Sequence, residues 1–321
     1  MNQNYSIEPS INIIVPLFNE EVIFNTLIIR LIDLMDQFKA TIEVILIDDG
    51  STDETSEMMK QLAKKDPRFH SIILSRNFGQ QIALAAGLKN VNAREAVLII
   101  DGDLQDPPEL INQFYKHLNE GYDVVYAVRR SRKSSIILKF SYWLFYRIMR
   151  KFSYIDIPLD SSNFSLISRR VVDHINSMPE ESRFLSGMRS WVGFRQMSVP
   201  FDRDDRKSGT SKYSWSKLFS LALNGIFNFS KYPIRFTMSL GILAMVASFI
   251  YFGITLFRKI VLNDVPSGFT ALLFTIIMFG GLQLTAIGII GEYILRIFFQ
   301  VKNRPLFIVK ERIRNGKSEM E

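Results

Sequence analysis

The fold of this chain is decided by a stretch that turns from apolar to acidic within a few residues, Ala96-Val97-Leu98-Ile99-Ile100-Asp101-Gly102-Asp103-Leu104-Gln105. Its first half is a short, continuous apolar run, which is typical of a strand that is buried on both faces of a sheet. Its second half places carboxylates directly after that strand. Because ligands of open α/β sheets bind beyond the carboxyl ends of the strands, the stretch predicts both a fold and the position of a site.

Three similar units precede this stretch. Apolar runs at 11–15, 44–47 and 69–74 are each followed by a polar cluster and then by helical periodicity. In the second unit, Ser51 and Glu54 have the spacing of a capping box at a helix start. Strands that alternate with helices predict an α/β domain with a mostly parallel sheet covered on both faces. The polar clusters are then expected at one sheet edge: 16–20, 48–49, 75–79 and 101–105.

Two later stretches are apolar enough to cross a bilayer. Phe236–Phe257 and Val265–Gly291 contain no charged residue, and at about 1.5 Å per helical residue each can span a hydrocarbon core of about 30 Å. Buried core helices are the alternative, but these seldom contain more than about 14 consecutive apolar residues. We therefore expect two transmembrane helices within residues 233–298.

The basic residues near these stretches predict their orientation. Cytoplasmic segments next to membrane spans carry an excess of Lys and Arg. Only Arg258 and Lys259 lie between the two stretches, whereas basic residues are frequent on their outer sides, as at Lys231, Arg235, Lys302, Arg304, Lys310, Arg312, Arg314 and Lys317. This pattern predicts a multi-pass protein of the cytoplasmic membrane, with a cytoplasmic catalytic domain at 1–232 and a cytoplasmic basic tail at 299–321.

Two more segments have the composition of helices that lie in the membrane interface. Residues 136–152 and 213–231 combine aromatic and aliphatic side chains with Lys and Arg, which suits the headgroup boundary of a bilayer. Core helices of the soluble domain are the alternative interpretation of both segments.

Composition excludes several classes of chemistry. The chain contains no Cys, so disulfides, thiolate zinc sites and cysteine nucleophiles are absent, and its three His are far apart in sequence. Neither a dinucleotide glycine fingerprint nor a P-loop occurs. The net charge of +7 predicts an anionic partner. Together with the membrane stretches, this charge favours a lipid or a phosphorylated substrate over nucleic acid.

The acidic stretch has the composition of a site for a hard metal ion. Two carboxylates separated by one residue can approach a common Mg²⁺ or Mn²⁺, because Gly102 lets the backbone turn between them. A solvated acidic turn is the commoner meaning of an isolated D-x-D. A second acidic pair, Asp48-Asp49, follows a neighbouring strand, and this context favours a binding site.

Several motifs in order resemble glycosyltransferase family 2. They resemble most the polyprenyl-phosphate glycosyltransferases, the group that contains dolichol-phosphate mannose synthase and the bactoprenol glucosyltransferases. The likeness extends over nearly the whole chain, including 206–213 and the two apolar stretches. The motifs that carry it are Val15–Glu21, Asp48–Asp53, Arg76–Gln80 and Asp101–Glu109.

The resemblance implies a GT-A fold and a set of site residues. The metal, Mg²⁺ or Mn²⁺, would be held by Asp101, Asp103 and Gln105. The donor diphosphate and the acceptor phosphate would be contacted by Arg129, Arg206, Ser211 and Lys212, although a basic run such as 129–133 can also simply face anionic lipid. The nucleotide would be bound by Pro16, Leu17, Asn19, Glu20, Asp48, Asp49, Gly79, Gln80, Asp101 and Gly102.

The resemblance also implies the reaction, an inverting transfer of a hexose from a UDP-hexose such as UDP-glucose to undecaprenyl phosphate. Relatives carry a D-x-x-D-F-R-L-like segment that aligns with Asp160–Leu166. Asp160 matches the first Asp, but Asn163 and Ser165 depart from the pattern. We expect Asp160 to be the base or an orienting group, with Asn163 as its hydrogen-bond partner.

Two other functions stay open from the sequence. A processive polysaccharide synthase would share the D-x-D region and the spans, but the Q-x-x-R-W motif of such enzymes is missing from the chain. A non-catalytic translocation or scaffold protein for lipid-linked sugars is the second alternative. A homo-oligomer is also expected, because small residues permit close contact between membrane helices: Gly280, Gly281, Gly288 and Gly291.

Overall fold

The computed structural model describes residues 10–129, 161–181, 183–201, 232–261 and 268–319. The chain divides into two compact units. The first contains residues 1–150, 155–222 and 305–321, and the second contains residues 151–154 and 223–304. The predicted interfacial segments, 136–152 and 213–231, lie outside the described residues.

The first unit is built on a mixed sheet, in which the described residues form nine strands in the order β7-β5-β6-β4-β1-β2-β3-β8-β9. The strands are β1 (Ile11–Leu17), β2 (Ile42–Asp48), β3 (Phe69–Leu74), β4 (Ala96–Ile99), β5 (Val124–Arg129), β6 (Ser161–Ser168), β7 (Gln196–Phe201), β8 (Val309–Arg314) and β9 (Lys317–Glu319).

Helices cover both faces of this sheet. Helices α1, α2 and α4 pack against the side chains on one face of the sheet, and helices α3, α5 and α6 pack against those on the other face. In β1, Ile13 faces the first core and Ile14 the second, as expected for a strand buried on both sides. The helices are α1 (Glu21–Gln37), α2 (Thr55–Lys65), α3 (Gln80–Lys89), α4 (Ile111–Asn119, after a 3₁₀ turn at Pro108–Leu110), α5 (Arg169–Ser177) and α6 (Leu185–Val192).

The sheet is less parallel than the sequence predicted. β4, β1, β2 and β3 are parallel, as the four strand–helix units require. β6 runs antiparallel to both of its neighbours, and β8 runs antiparallel to β3 and β9. The α/β class is confirmed. β5 and β7 also pair in parallel, so among the described strands only β6 and β8 run against the others. "Mostly parallel" therefore holds for strand direction, whereas four of the eight strand pairs are antiparallel.

The predicted capping box is also wrong. α2 begins at Thr55, and the Thr55 N–H donates to Asp53 Oδ1 at 3.0 Å. The Glu54 N–H donates to Glu21 Oε2 at 3.0 Å, and Ser51 Oγ accepts from the Asn19 N–H at 3.0 Å. Asn19, in the loop after β1, and Glu21, the first residue of α1, therefore bond to the groups that a local capping box would have used.

The second unit contains two long apolar helices, α7 (Tyr232–Val261) and α8 (Phe269–Lys302). Within them, Ile234–Val261 and Met278–Lys302 are long and apolar enough to cross a membrane, and none of their most apolar window is buried inside the protein. The prediction of two long apolar helices is confirmed.

The predicted tail is divided between the two units. Residues up to Lys302 continue α8, whereas 309–319 form β8 and β9 on the outer side of β3. The sequence predicted a basic tail here, and within β8 the two apolar residues, Val309 and Ile313, are buried.

Gly50 gives a test of this fold. Its φ is +71°, and a Cβ there would lie 2.4 Å from the carbonyl carbon of Arg76 and 2.5 Å from the amide nitrogen of Asn77. We expect Gly50→Ala to lower the free energy of unfolding by about 3 kcal/mol, because a backbone clash adds to left-handed strain. Gly193 is the matched control, with a φ of +76° and its nearest neighbour 3.9 Å away. Gly193→Ala should cost about 1 kcal/mol. If thermal unfolding showed the same loss of stability for both variants, the close packing of Gly50 against residues 76 and 77 would be contradicted.

Candidate functional site

Four loops meet at the carboxyl ends of the parallel strands. We name them the β1 loop (18–20), the β2 loop (49–54), the β3 loop (75–79) and the acidic loop (101–105). The Asp49 N–H donates to the Leu17 carbonyl at 2.9 Å, which ties the β2 loop to β1. Gly50 lies against the β3 loop, and Gly102 against the end of β1. The predicted convergence of these clusters therefore holds in the structure.

The β1 and β2 loops brace one another through side chain to backbone hydrogen bonds. Asn19 Oδ1 accepts from the Thr52 N–H at 2.8 Å, and Thr55 Oγ1 accepts from the Glu20 N–H at 2.9 Å. Asn19 has a φ of 54°, a left-handed conformation that Asn tolerates better than most residues. Asn19 thus shapes the loop, while the preceding Pro16 and Leu17 are buried and form its base.

Asp48 and Asp49 are nearly inaccessible, at 1% and 4% exposure. Asp48 Oδ1 accepts from the Ser51 N–H at 3.0 Å. The Asp49 carboxylate accepts from the Phe78 N–H at 2.8 Å and the Gly79 N–H at 3.0 Å. These carboxylates hold the β2 and β3 loops in place, because each accepts hydrogen bonds from backbone N–H groups of those loops.

Burial raises the pKa of both carboxyls, since removal from water penalises the charged form more than these hydrogen bonds favour it. The positive charge of the Arg76 guanidinium acts in the opposite direction and lowers the pKa of the Asp49 carboxyl, but its effect is smaller than that of burial. A raised pKa means that folding favours the protonated form. The contribution of this pair to stability therefore falls as the pH rises from below their ordinary pKa to above their raised values.

The acidic loop presents alternate residues to one accessible side. Asp101, Asp103 and Gln105 are partly exposed, whereas Gly102 and Leu104 between them are buried. A Cβ at Gly102 would lie 2.4 Å from Leu17 Cδ2 and 3.0 Å from the Pro16 carbonyl oxygen, so a larger residue there would require the buried Leu17 side chain to move. Leu104 has a φ of 59°, a strained conformation for a branched residue that is common at functional sites.

Hydrogen bonds orient the two carboxylates of this loop. Gln80 Nε2, in the first turn of α3, donates to Asp101 Oδ1 at 2.7 Å. The Gln105 N–H donates to Asp103 Oδ1 at 3.2 Å. Gln80 was predicted to contact the nucleotide, and its side chain reaches the acidic loop.

The donor atoms of this loop fit a hard divalent cation. Carboxylate and amide oxygens are the ligands that Mg²⁺ and Mn²⁺ prefer. The described part of the chain has no cluster of three or more His, Cys, Asp or Glu that could hold a metal ion by itself. The set Asp101, Asp103 and Gln105 therefore suits an ion that completes its coordination with substrate oxygens.

Several predicted site residues are not among those brought together. Asp160, Arg206, Ser211 and Lys212 lie outside the described residues, and Arg129 is described only as the last backbone position of β5, opposite Phe201. Asn163 lies on β6, where its Oδ1 is 3.5 Å from Gln81 Nε2. The roles of these residues stay predictions.

Sequence reasoning assigned no role to Arg76, although it belongs to a quoted motif. Its side chain is exposed at the start of the β3 loop, and its guanidinium carbon lies 4.0 Å from the centre of the Phe78 ring. This contact fixes a cation close to Asp49. The alternation of exposure along the acidic loop also could not be read from sequence, because it depends on the left-handed Leu104.

Comparison with known proteins identifies the family. The family model "Glycosyl transferase family 2" matches residues 12–175. YkcC of Bacillus subtilis (strain 168), named a glycosyltransferase, is 40% identical over 94% of this chain and 93% of its own length. The SfII prophage-derived bactoprenol glucosyl transferase of Shigella flexneri is 37% identical over 95% of this chain and 99% of its own.

Solved structures with a similar chain course are more distant. Glucosyl-3-phosphoglycerate synthase from Mycobacterium tuberculosis is 19% identical, with a TM-score of 0.44 over 68% of this chain and 78% of that one. The α/β sheet with its acidic loop is of the GT-A type that the sequence motifs predicted. From the family match and the relatives of nearly equal length, the chain belongs to glycosyltransferase family 2.

Proposed function

We propose that this protein transfers a hexose from a nucleotide sugar to polyprenyl phosphate, with glucose from UDP-glucose to undecaprenyl phosphate as the specific reaction. The observation that carries the proposal is the acidic loop, which presents Asp101, Asp103 and Gln105 together at the sheet edge. Its position beside the buried Asp48-Asp49 pair suits a nucleoside diphosphate. The likeness to a bactoprenol glucosyl transferase over almost its entire length supports the choice of sugar and acceptor.

The nucleoside would lie over the β1 and β2 loops. Their backbone is fixed by the Asn19, Thr52 and Thr55 hydrogen bonds, so the surface is formed before the donor binds. Preformed sites lose less conformational entropy on binding. Glu20 and Arg76 are the charged side chains of the β1 and β3 loops, and we assign Arg76 to the anionic part of the donor.

The acidic loop would hold the diphosphate through Mg²⁺ or Mn²⁺. When bound, the ion would offset the negative charge that develops on the leaving diphosphate. Gln80 keeps Asp101 in one orientation, and the Gln105 backbone does the same for Asp103. Both carboxylates are thereby presented without further rearrangement.

The chemistry would be a single displacement. A lipid phosphate oxygen attacks the anomeric carbon while the bond from that carbon to the diphosphate oxygen breaks, so the configuration inverts. A phosphate monoester has a second pKa of about 6, so the nucleophile is already mostly a dianion at neutral pH. We assign to Asp160 the role of a catalytic base or of a group that orients the reactants. The residues that we expect to contact the donor diphosphate and the acceptor phosphate are Arg129, Arg206, Ser211 and Lys212.

The helix pair would place the enzyme in the cytoplasmic membrane. β7, which precedes the helix pair, and β8, which follows it, belong to the same sheet, so the chain would return to the side of the membrane that it left. The flanking Lys and Arg residues favour the cytoplasm for that side. Positions 280, 281, 288 and 291 on α8 are Gly with no atom within 4 Å of a Cβ built there, which supports self-association through this helix.

A donor panel tests the reaction. The full chain in detergent micelles is incubated with undecaprenyl phosphate and UDP-glucose, UDP-galactose, UDP-N-acetylglucosamine or GDP-mannose, and the lipid product is analysed by mass and anomeric configuration. We expect one β-linked glucose per lipid from UDP-glucose. An α-linked product would exclude single displacement, a polymer would favour a processive synthase, and no product from any donor would favour a scaffold.

Asp103→Asn tests the metal assignment. Loss of one ligand should lower turnover by about 100-fold or more and raise the Mn²⁺ concentration needed for half-maximal rate. Asp106→Asn is the control, because Asp106 directly follows the acidic loop and is only 2% exposed. Its Mn²⁺ requirement should match that of the wild type, even if its stability falls. An unchanged Mn²⁺ requirement in Asp103→Asn, or activity that survives EDTA, would sink the assignment.

A further inference from the structure

The outer strand beside β3 is supplied by residues that follow α8. Only residues 303–308 separate Lys302, the last residue of α8, from β8. Leu74, the last residue of β3, lies opposite Val309. Beyond the ladder, the Ser75 N–H donates to the Ile308 carbonyl at 2.9 Å. This segment, residues 305–319, which we name the tail, therefore bonds directly to the first residue of the β3 loop.

The tail is firmly attached to the sheet. Val309 and Ile313 are 5% and 0% exposed. Glu311 Oε2 lies 2.9 Å from Lys60 Nζ on α2, and this hydrogen bond holds the pKa of Glu311 below its ordinary value. Phe307 packs against the core on the α3 side, with Lys89 Nζ 5.9 Å from its ring centre. The tail can thus act as a fixed support.

The β3 loop is held from its other side by the β2 loop. The Asp49 carboxylate binds the Phe78 and Gly79 N–H groups, and Gly50 touches the backbone of residues 76–77. The loop leads directly into Gln80, which orients Asp101. The β3 loop is therefore held between the β2 loop and the tail. A displacement of the tail would be transmitted through the β3 loop to Gln80, which orients the acidic loop.

We propose that the tail, through Phe307–Val309, is a positioning element of the nucleotide-sugar site. The identity of the ligand rests on the proposed function, whereas the positioning of the β3 loop rests on the contacts above. The competing interpretation is that the tail only covers the edge of β3. Under that interpretation, a destabilising substitution at either end of β8 would lower the stability of the protein and have no separate effect on the β3 loop. Under our proposal, only a substitution at the end of β8 next to the β3 loop would affect that loop and nucleotide-sugar binding.

Two alanine substitutions on the same strand distinguish these interpretations. Val309 lies at the loop end of β8, and Ile313 lies opposite Ser71 at the far end. Ile313→Ala removes the larger and more deeply buried side chain, so it should cost at least as much stability as Val309→Ala. The full chain in detergent micelles is examined by amide hydrogen exchange at Phe78 and Gly79 and by calorimetric binding of UDP-glucose with Mn²⁺.

We expect Val309→Ala to speed exchange at both amides by about fivefold and to weaken UDP-glucose binding by about fivefold, with Ile313→Ala within about twofold of the wild type in both. Val309→Ile should keep wild-type values. Asp49→Asn, which alters the opposite support, is the positive control for exchange. Phe307→Ala acts on the same end of the tail without removing a ladder residue, and it replaces Val309→Ala if that variant does not fold.

Equal effects of Val309→Ala and Ile313→Ala, or no effect of either, would overturn the positioning role. If exchange responds to Val309→Ala but the wild type binds no UDP-glucose, the proposed donor is wrong and the positioning of the β3 loop stands. If the wild type binds UDP-glucose but neither readout responds to Val309→Ala, the proposed donor stands and the inference about the tail fails.

Discussion

The site depends on two carboxylates buried at the end of β2. An ionised group removed from water is costly unless it is hydrogen-bonded, and the sheet supplies few partners at this point. Asp48 and Asp49 find theirs in the backbone N–H groups of Ser51, Phe78 and Gly79. Two loops must therefore fold around these carboxylates before the surface for a nucleotide exists. The order of the site follows from the need to satisfy buried charge.

The acidic loop meets a different constraint, which is steric. It passes close to the end of β1, where a Cβ at position 102 would displace the buried Leu17 side chain. It then turns through a left-handed Leu104, whose side chain is 4% exposed and belongs to the core. Burial of Leu104 offsets strain of about 1–3 kcal/mol. The arrangement leaves the polar residues on the accessible side.

Much of the fold could be predicted because it depends on local patterns. Four apolar runs, each followed by a polar cluster and a helix, identify β1 to β4 and the edge where ligands bind. The motifs were specific enough to indicate the family. The missed features depend on contacts between distant segments: the Glu54 N–H, just before α2, bonds to Glu21 rather than to Ser51, and β8 pairs with a strand more than two hundred residues earlier. A charged strand such as β8 has no apolar run, so it gives no strand signal. Asp49 is predicted to contact the nucleotide, and the structure adds its contacts with the Phe78 and Gly79 backbone, which depend on a distant segment and give no local pattern.

The return of the chain to β3 fixes an order of events during synthesis. β8 cannot pair with β3 until residue 309 has been made, which is after both long helices have been synthesised. Until then β3 has an open edge with unpaired backbone groups and a mostly apolar sequence, the kind of edge that promotes aggregation. Synthesis of the two long helices therefore precedes completion of the sheet. A chain that stops before the tail leaves β3 uncovered, so the sheet is completed only in a chain that already contains both helices.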